Sequence, residues 1–256
     1  MLARFHQDGP LGTLTLADPA RRNAMGTAMF DALDAALAVA EARAGAAPGE
    51  RIELLLLRGE GPAFCAGFDL GACVDRPALL ADFVHALSRC VQRLRRLPCP
   101  VVAQVQGAAL AGGCAVLAGC DFVIVAPDAQ LGYPVHRIGV SPAVNLPALL
   151  ANALPGRVRA LTMGGALLDG RAAVAQGLAT QCAASADSLA AETDALVARL
   201  LAKGPEALRA TKHWLNELDG SGDPARYPAA AAASATAADG SEFPAMLRDF
   251  WAKQRR

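Results

Sequence analysis

The stretch Val101-Val102-Ala103-Gln104-Val105-Gln106-Gly107-Ala108-Ala109-Leu110-Ala111-Gly112-Gly113-Cys114 decides how the rest of the chain is read. No charged residue occurs between Val101 and Cys120, so a hydropathy window alone offers a membrane helix. The internal order argues against that. Residues 101–106 are a β-branched run that stops at Gly107, and residues 108–120 contain Gly112, Gly113 and Gly119 with no aromatic belt on either side. A buried strand, a glycine turn and a buried helix account for it.

The same plan precedes this stretch. Residues 52–57 are a continuous apolar run, long enough for a strand buried on both faces and too short for a helix. A loop rich in Gly and Pro covers residues 58–70. Leu80, Val84, Leu87, Val91 and Leu94 then form one stripe of a helix over 78–97, which Pro98 stops. Upstream, residues 11–16 alternate as a strand, and Phe30, Leu33, Leu37 and Ala40 mark a helix over 27–43 with Thr27 as its N-cap. Downstream, residues 121–126 read as a buried strand and 131–135 as a short one. Helices are expected over 142–154, 158–163, 172–177, 189–202, 206–218 and 243–253, while the alanine-rich 229–238 fits either helix or linker. Strands alternate with helices to about residue 130 and helices dominate afterwards. The fold class is therefore α/β, with a core over 1–200 and a helical region over 201–256.

Composition narrows the function. Lys plus Arg and Asp plus Glu are 24 each, a balance that opposes nucleic-acid binding through a broad basic field. The seven cysteines are odd in number and contain no C-x-x-C pair, and the four histidines are scattered. Neither a disulfide framework nor a zinc or other metal site is expected, and the pattern suits a reducing, cytoplasmic setting. Residues 1–10 have no apolar signal core. The loops at 61–70 and 106–114 match neither common phosphate-cradling glycine pattern. A helix that opens after such a loop does present backbone N–H groups without intrahelical partners, and small residues let a ligand approach them.

Taken together, the segments point further. Phe64-Cys65-Ala66-Gly67-Phe68-Asp69-Leu70, then Gln106-Gly107 leading to Ala111-Gly112-Gly113-Cys114, then Cys120-Asp121-Phe122-Val123-Ile124-Val125-Ala126 resemble the crotonase (enoyl-CoA hydratase/isomerase) family. Pro19-Ala20-Arg21-Arg22-Asn23-Ala24-Met25 is similar to that family's entry to its first helix. Leu131-Gly132-Tyr133-Pro134 with Gly139-Val140-Ser141-Pro142, and the terminal Phe250-Trp251-Ala252-Lys253, are similar to its later segments. The likeness spans nearly the whole chain in order. It implies a spiral of ββα repeats, a helical C-terminal region that forms trimers or dimers of trimers, and an acyl-CoA thioester substrate of the kind met in fatty acid metabolism. No separate cofactor is implied; coenzyme A enters as part of the substrate.

Carried over residue by residue, the resemblance makes the N–H groups of Phe68 and Gly112 the pair that holds the thioester oxyanion. Fixed dipoles aimed at a developing charge need no reorganisation, and one such donor is typically worth ~2.7–4 kcal/mol in the transition state. Arg22 matches a position that holds coenzyme A phosphates. Ala24 and Ala66 match positions whose backbone reaches adenine and pantetheine, and Lys253 one that approaches the nucleotide from a neighbouring subunit. Asp69 is expected to cap the turn after it. Leu70, Leu110, Val135 and Ala143 are expected to line an apolar acyl site.

The sequence departs from the family where acid–base chemistry is done. The two glutamate positions of the hydratases are Ala115 and Val135 here, and a third position used by isomerases is Ala143. None can transfer a proton. Tyr133 and His136 are the candidate substitutes: Tyr133 shares a face with Val135 if that segment is a strand, whereas His136 points away. Cys65 and Cys114 read as packing residues, His85 and His213 as surface residues, and Ser141 and Asp75 have no recognisable partner. Four readings stay open: hydration or isomerisation with an unconventional acid–base group, decarboxylation of a malonyl-type thioester, thioester hydrolysis, and acyl-CoA binding without catalysis.

Overall fold

The computed structural model describes residues 1–254. In chain order the elements are β1 (Ala3–Asp8), β2 (Leu11–Leu16), α1 (Thr27–Ala44), β3 (Leu54–Gly59), α2 (Leu70–Asp75), α3 (Leu79–Arg96), β4 (Val101–Val105), β5 (Ala108–Leu110), α4 (Gly112–Leu117), β6 (Phe122–Val125), β7 (Gln130–Gly132), α5 (Leu146–Asn152), α6 (Pro155–Gly164), β8 (Leu167–Leu168), α7 (Gly170–Gln176), β9 (Gln181–Cys182), α8 (Leu189–Leu201), α9 (Pro205–Asp219), α10 (Arg226–Asp239) and α11 (Glu242–Gln254). Short 3-10 turns cover Pro19–Arg21, Pro134–Ile138 and Pro142–Asn145.

One sheet runs β1-β2-β3-β4-β6-β9, antiparallel only at the β1–β2 hairpin. A second runs β5-β7-β8. The two layers are linked by a repeat. After β2 the chain passes Met25, after β3 it passes Cys65 and Phe68, after β4 comes β5, and after β6 comes β7. Met25 bridges Phe68 and Cys65 bridges Ala109, both in parallel, and β5 pairs with β7 in the same sense. Each turn of chain thus lays one strand in each layer. This is the spiral of ββα units, with a helical C-terminal region after it.

Burial explains why the apolar runs became inner strands. Leu54 to Leu57 and Val101 to Ala103 are all buried, and the α3 stripe Leu80, Val84, Leu87, Val91 and Leu94 closes over them. The membrane-like stretch is β4, β5 and α4, packed inside. Among the described residues no helix is long and apolar enough to cross a membrane.

Several boundaries differ from expectation. The strand expected at 52–57 is β3 at Leu54–Gly59, because the Ile52 N–H is taken by Arg43 O at the end of α1. Thr27 does not cap α1. Gly26 holds that place in an extended conformation, kept there by Met25 N–H bonding Gly67 O at 2.8 Å. The single helix expected over 142–154 is broken into a 3-10 turn and α5. Pro147 accounts for this: it falls in the first turn of α5, whereas in a continuous helix its ring would strike the carbonyl of Ala143. Residues 131–135 are not one strand; β7 ends at Gly132, and Pro134 opens a 3-10 turn. The alanine-rich segment falls within α10, whose small side chains let it lie close along α3, with Tyr227, Ala231 and Ala235 buried.

The helical tail is fastened to the core by buried polar groups. Lys212 of α9 donates to Leu94 O and Cys99 O and pairs with Asp121 at 2.7 Å, and Asn216 donates to Arg95 O. Removing Lys212 leaves the part-buried Asp121 carboxylate without its ion-pair partner and Leu94 O and Cys99 O without their donor. Lys212→Ala is therefore expected to lower unfolding stability by about 3 kcal/mol, read from urea denaturation; a loss within experimental scatter would contradict the role given to this pair.

Candidate active site

The site begins with a buried asparagine. Asn23 is 0% exposed, and its side chain crosses to the first glycine loop. Nδ2 reaches Glu60 O, Ala63 O and Phe64 O at 2.9–3.0 Å, and Oδ1 accepts from Asp18 N–H at 2.8 Å. The backbone at Arg22 and Asn23 is left-handed, φ +51 and +55, and Arg22 O accepts from Ala66 N–H at 2.9 Å. The Cys65 thiol donates to Asn23 O. The loop is thereby set before any ligand arrives.

The second loop is pressed onto the first. At Gly67, φ +94, a Cβ would lie 2.8 Å from Leu110 O; at Gly113 a Cβ would lie 2.4 Å from Cys65 O. Only glycine fits either place. Between them Ala111 takes φ +50 and ψ −110, a region an L-residue enters only under constraint. The constraint is visible: Ala111 N–H bonds Gly132 O at 2.8 Å, and Ala111 O accepts from Ala115 N–H at 2.9 Å. The turn leaves the next amide, that of Gly112, free. Among the described residues neither the Phe68 N–H nor the Gly112 N–H has a protein acceptor. The ring of Phe68 lies beside Gly112, about 3.0 Å from where a Cβ would sit, so the two residues meet.

Both face one cavity of about 350 Å³. Its apolar wall comes from α3 (Leu80, Val84, Leu87) and from Leu70, Leu110, Ala115 and Val135, and Phe250 of α11 closes one side. Arg22 and Arg137 stand at it as exposed cations. No carboxylate, histidine or cysteine lines it among the described residues. Its buried polar groups are Tyr133 and Asn145: Asn145 Nδ2 donates to the Tyr133 hydroxyl at 2.5 Å, and that hydroxyl donates to Cys114 O at 3.4 Å.

The comparisons fall on this geometry. The family model described as enoyl-CoA hydratase/isomerase matches residues 7–227. The chain belongs to the enoyl-CoA hydratase/isomerase family. A Thermus thermophilus protein provisionally named an enoyl-CoA hydratase is 32% identical over 253 residues, 97% of each chain. A solved structure from Mycobacterium avium paratuberculosis K-10, also provisionally named an enoyl-CoA hydratase, superposes with TM-score 0.85 at 25% identity over 99% of this chain and 97% of that one. An enoyl-CoA hydratase/isomerase from Xanthobacter autotrophicus Py2 gives 0.83 at 25% identity, over 97% and 92%.

As an enoyl-CoA hydratase/isomerase family member, the chain brings only part of its expected site together. Arg22, Ala66, Phe68, Leu70, Leu110, Gly112 and Val135 line the cavity. Ala24 and Asp69 do not; they border a separate recess beside α1. Asp69 makes no capping bond to α2, because its carboxylate is paired with Arg21 and packed against Gly26. Ala143 also lies outside the lining: its N–H bonds Ser141 Oγ within the 3-10 turn, and Pro142 and Val144 face inward instead. Lys253 is exposed on α11. His136, His85, His213 and Asp75 are exposed and outside the cavity lining, although His136 lies between the lining residues Val135 and Arg137.

Two residues carry more of the site than their sequence signal suggests. Asn23 is visible in the sequence only as a motif letter, and Asn145 gives no signal. Tyr133 does face the cavity, but burial pushes its phenol well above its usual range, so it is a poor acid or base. Burial also holds the thiols of Cys65 and Cys114 protonated, pushed up to about 12 and about 11 respectively. Both are therefore protonated at neutral pH. Iodoacetamide at pH 7.5 is expected to leave both unlabelled in the folded protein while reaching the half-buried Cys182, as read by peptide mass spectrometry. Asn23→Ala, which removes every bond of that side chain, is expected to cost about 2–4 kcal/mol in urea unfolding and to weaken acyl-CoA binding; unchanged binding would contradict its part in shaping the loop.

Proposed function

We propose that this protein binds an acyl-CoA thioester with its carbonyl oxygen between the Phe68 and Gly112 amides and stabilises the enolate formed there. The observation that carries this reading is the pair of unpartnered N–H groups on two residues that line one largely apolar cavity. An oxyanion in that place is met by dipoles already oriented, in surroundings poor in water. The apolar wall receives the acyl group, and Arg22 holds the coenzyme A phosphates at the mouth. Coenzyme A arrives with the substrate, and no further cofactor is involved.

The cavity lining favours one route to the enolate. Hydration by a glutamate pair needs carboxylates where Ala115 and Val135 stand, and isomerisation needs one near Ala143. Loss of carbon dioxide from a malonyl-type thioester needs no base. The bond between the α-carbon and the carboxylate breaks, its electron pair moves into the enolate whose oxygen the amides hold, and solvent later returns a proton to the α-carbon. An apolar wall also disfavours the departing carboxylate over the neutral product. The expected outcome is carbon dioxide release from a malonyl-type thioester with crotonyl-CoA hydration at background. Brisk hydration would contradict the decarboxylation route, and thioester hydrolysis or binding without turnover would point to the remaining alternatives. In the responsive assay, Gly112→Pro is expected to fall about 100–1000-fold below Gly112→Ala. Both place a Cβ against Met25 and Phe68, and only proline lacks the N–H.

We also propose a homotrimer or a dimer of trimers. Trp214, Leu215 and Leu218 of α9 are 58–81% exposed, and Leu150, Leu154 and Met163 of α5, α6 and their connection add to the uncovered apolar surface. Such a concentration is characteristic of an interface. Sedimentation equilibrium is expected to give a multiple of three chains, and Trp214→Asp with Leu218→Asp to give monomers; a monomeric parent protein would contradict the assembly.

A further inference from the structure

Asn145 is 1% exposed and lines the cavity, yet its Oδ1 has no hydrogen-bond partner. Asn145 Nδ2 reaches the Tyr133 hydroxyl at 2.5 Å, and that hydroxyl lies 3.4 Å from Cys114 O. Oδ1 is left as the open end. The turn that carries it is held from α10: Ser234 Oγ accepts from Val144 N–H and donates to Ser141 O, both at 2.8 Å. An unpaired buried carbonyl is costly, and native structures leave few of them. The rest of the buried wall near it is mostly apolar, so a plain acyl chain leaves this acceptor unsatisfied.

We infer that Asn145 is a specificity-determining residue whose Oδ1 accepts a hydrogen bond from a donor on the acyl group, a hydroxyl or an amide N–H. This rests on the acyl-CoA reading of the cavity. A site built to pair a substrate donor rejects the analogue that lacks it, because the buried acceptor then stays unpaired. Tyr133 is a positioning residue in this arrangement: it orients the amide and touches the substrate's chemistry only through it.

Isothermal titration tests this with butyryl-CoA, both enantiomers of 3-hydroxybutyryl-CoA, 4-hydroxybutyryl-CoA, N-acetyl-β-alanyl-CoA and acetoacetyl-CoA, the last an acceptor without a donor. At least one donor-bearing thioester is expected to bind about tenfold more tightly than butyryl-CoA and acetoacetyl-CoA, with that advantage falling to about twofold or less in Asn145→Leu. The responsive compound tells a hydroxyl from an amide. Equal binding across the panel, or an advantage that survives Asn145→Leu, would overturn the inference. So would a preference for acetoacetyl-CoA, which would put Nδ2 toward the cavity. Where Asn145→Leu fails to fold, Asn145→Ala serves the same comparison, and the parent protein's panel stands by itself. Binding of butyryl-CoA without discrimination defeats this inference alone, whereas no binding of any thioester defeats the acyl-CoA reading with it.

Discussion

Two main-chain amides without partners are the constraint around which this molecule is organised. A buried N–H group is ordinarily paired, and here the chain path leaves the Phe68 and Gly112 amides open. Everything adjoining them is over-determined. Asn23 ties three carbonyls of the first loop, Gly67 and Gly113 allow the two loops to touch, and Ala111 carries backbone strain between two fixed hydrogen bonds. Local strain of this kind persists only where surrounding structure enforces it. The ββα spiral supplies that enforcement, since each loop is the crossing between an inner and an outer strand.

The cavity beyond the amides is unusual for what it omits. Where the family resemblance implies proton-transfer groups, Ala115 and Val135 present only methyl groups. The Tyr133 phenol at the cavity is buried, has hydrogen-bond partners on both sides and is held protonated, its pKa pushed well above the usual range by burial. The polar character is concentrated instead in one acceptor, Asn145 Oδ1. On the proposed reading, oxyanion stabilisation and substrate discrimination fall to different groups, one set in the backbone and one in a side chain, and they can be separated experimentally.

Much of the fold is legible in the sequence because its signals are local. Continuous apolar runs mark β3, β4 and β6, a helical stripe marks α3, and the ordered motifs place both loops. Expectation and structure part where tertiary contacts or proline outweigh pattern. Thr27 loses the capping position to an extended Gly26 held by Gly67, and Pro147 divides an apolar stretch that reads as one helix. β1 is not foreseen although its burial alternates residue by residue, because its inner face carries only Ala3, Phe5 and Gln7, too weak an apolar signal. In the site, small residues mark the close approach of the two loops, while the choice of the Phe68 and Gly112 amides comes from the family resemblance alone. Asp69 is misread since a capping residue and an ion-pair partner look alike in sequence; only the approach of Arg21 distinguishes them. Asn145 is illegible for a deeper reason: an orphaned acceptor is defined by what does not reach it in three dimensions.

The vibrational frequency of the bound thioester carbonyl reports most directly on the two amides. With an acyl-CoA labelled with carbon-13 at that carbonyl, difference infrared spectra of the complex are expected to show the stretch at clearly lower wavenumber than in water, as two fixed donors polarise the bond. A carbonyl at or above its frequency in water, in a complex that has formed, would show that those amides do not hold the oxygen.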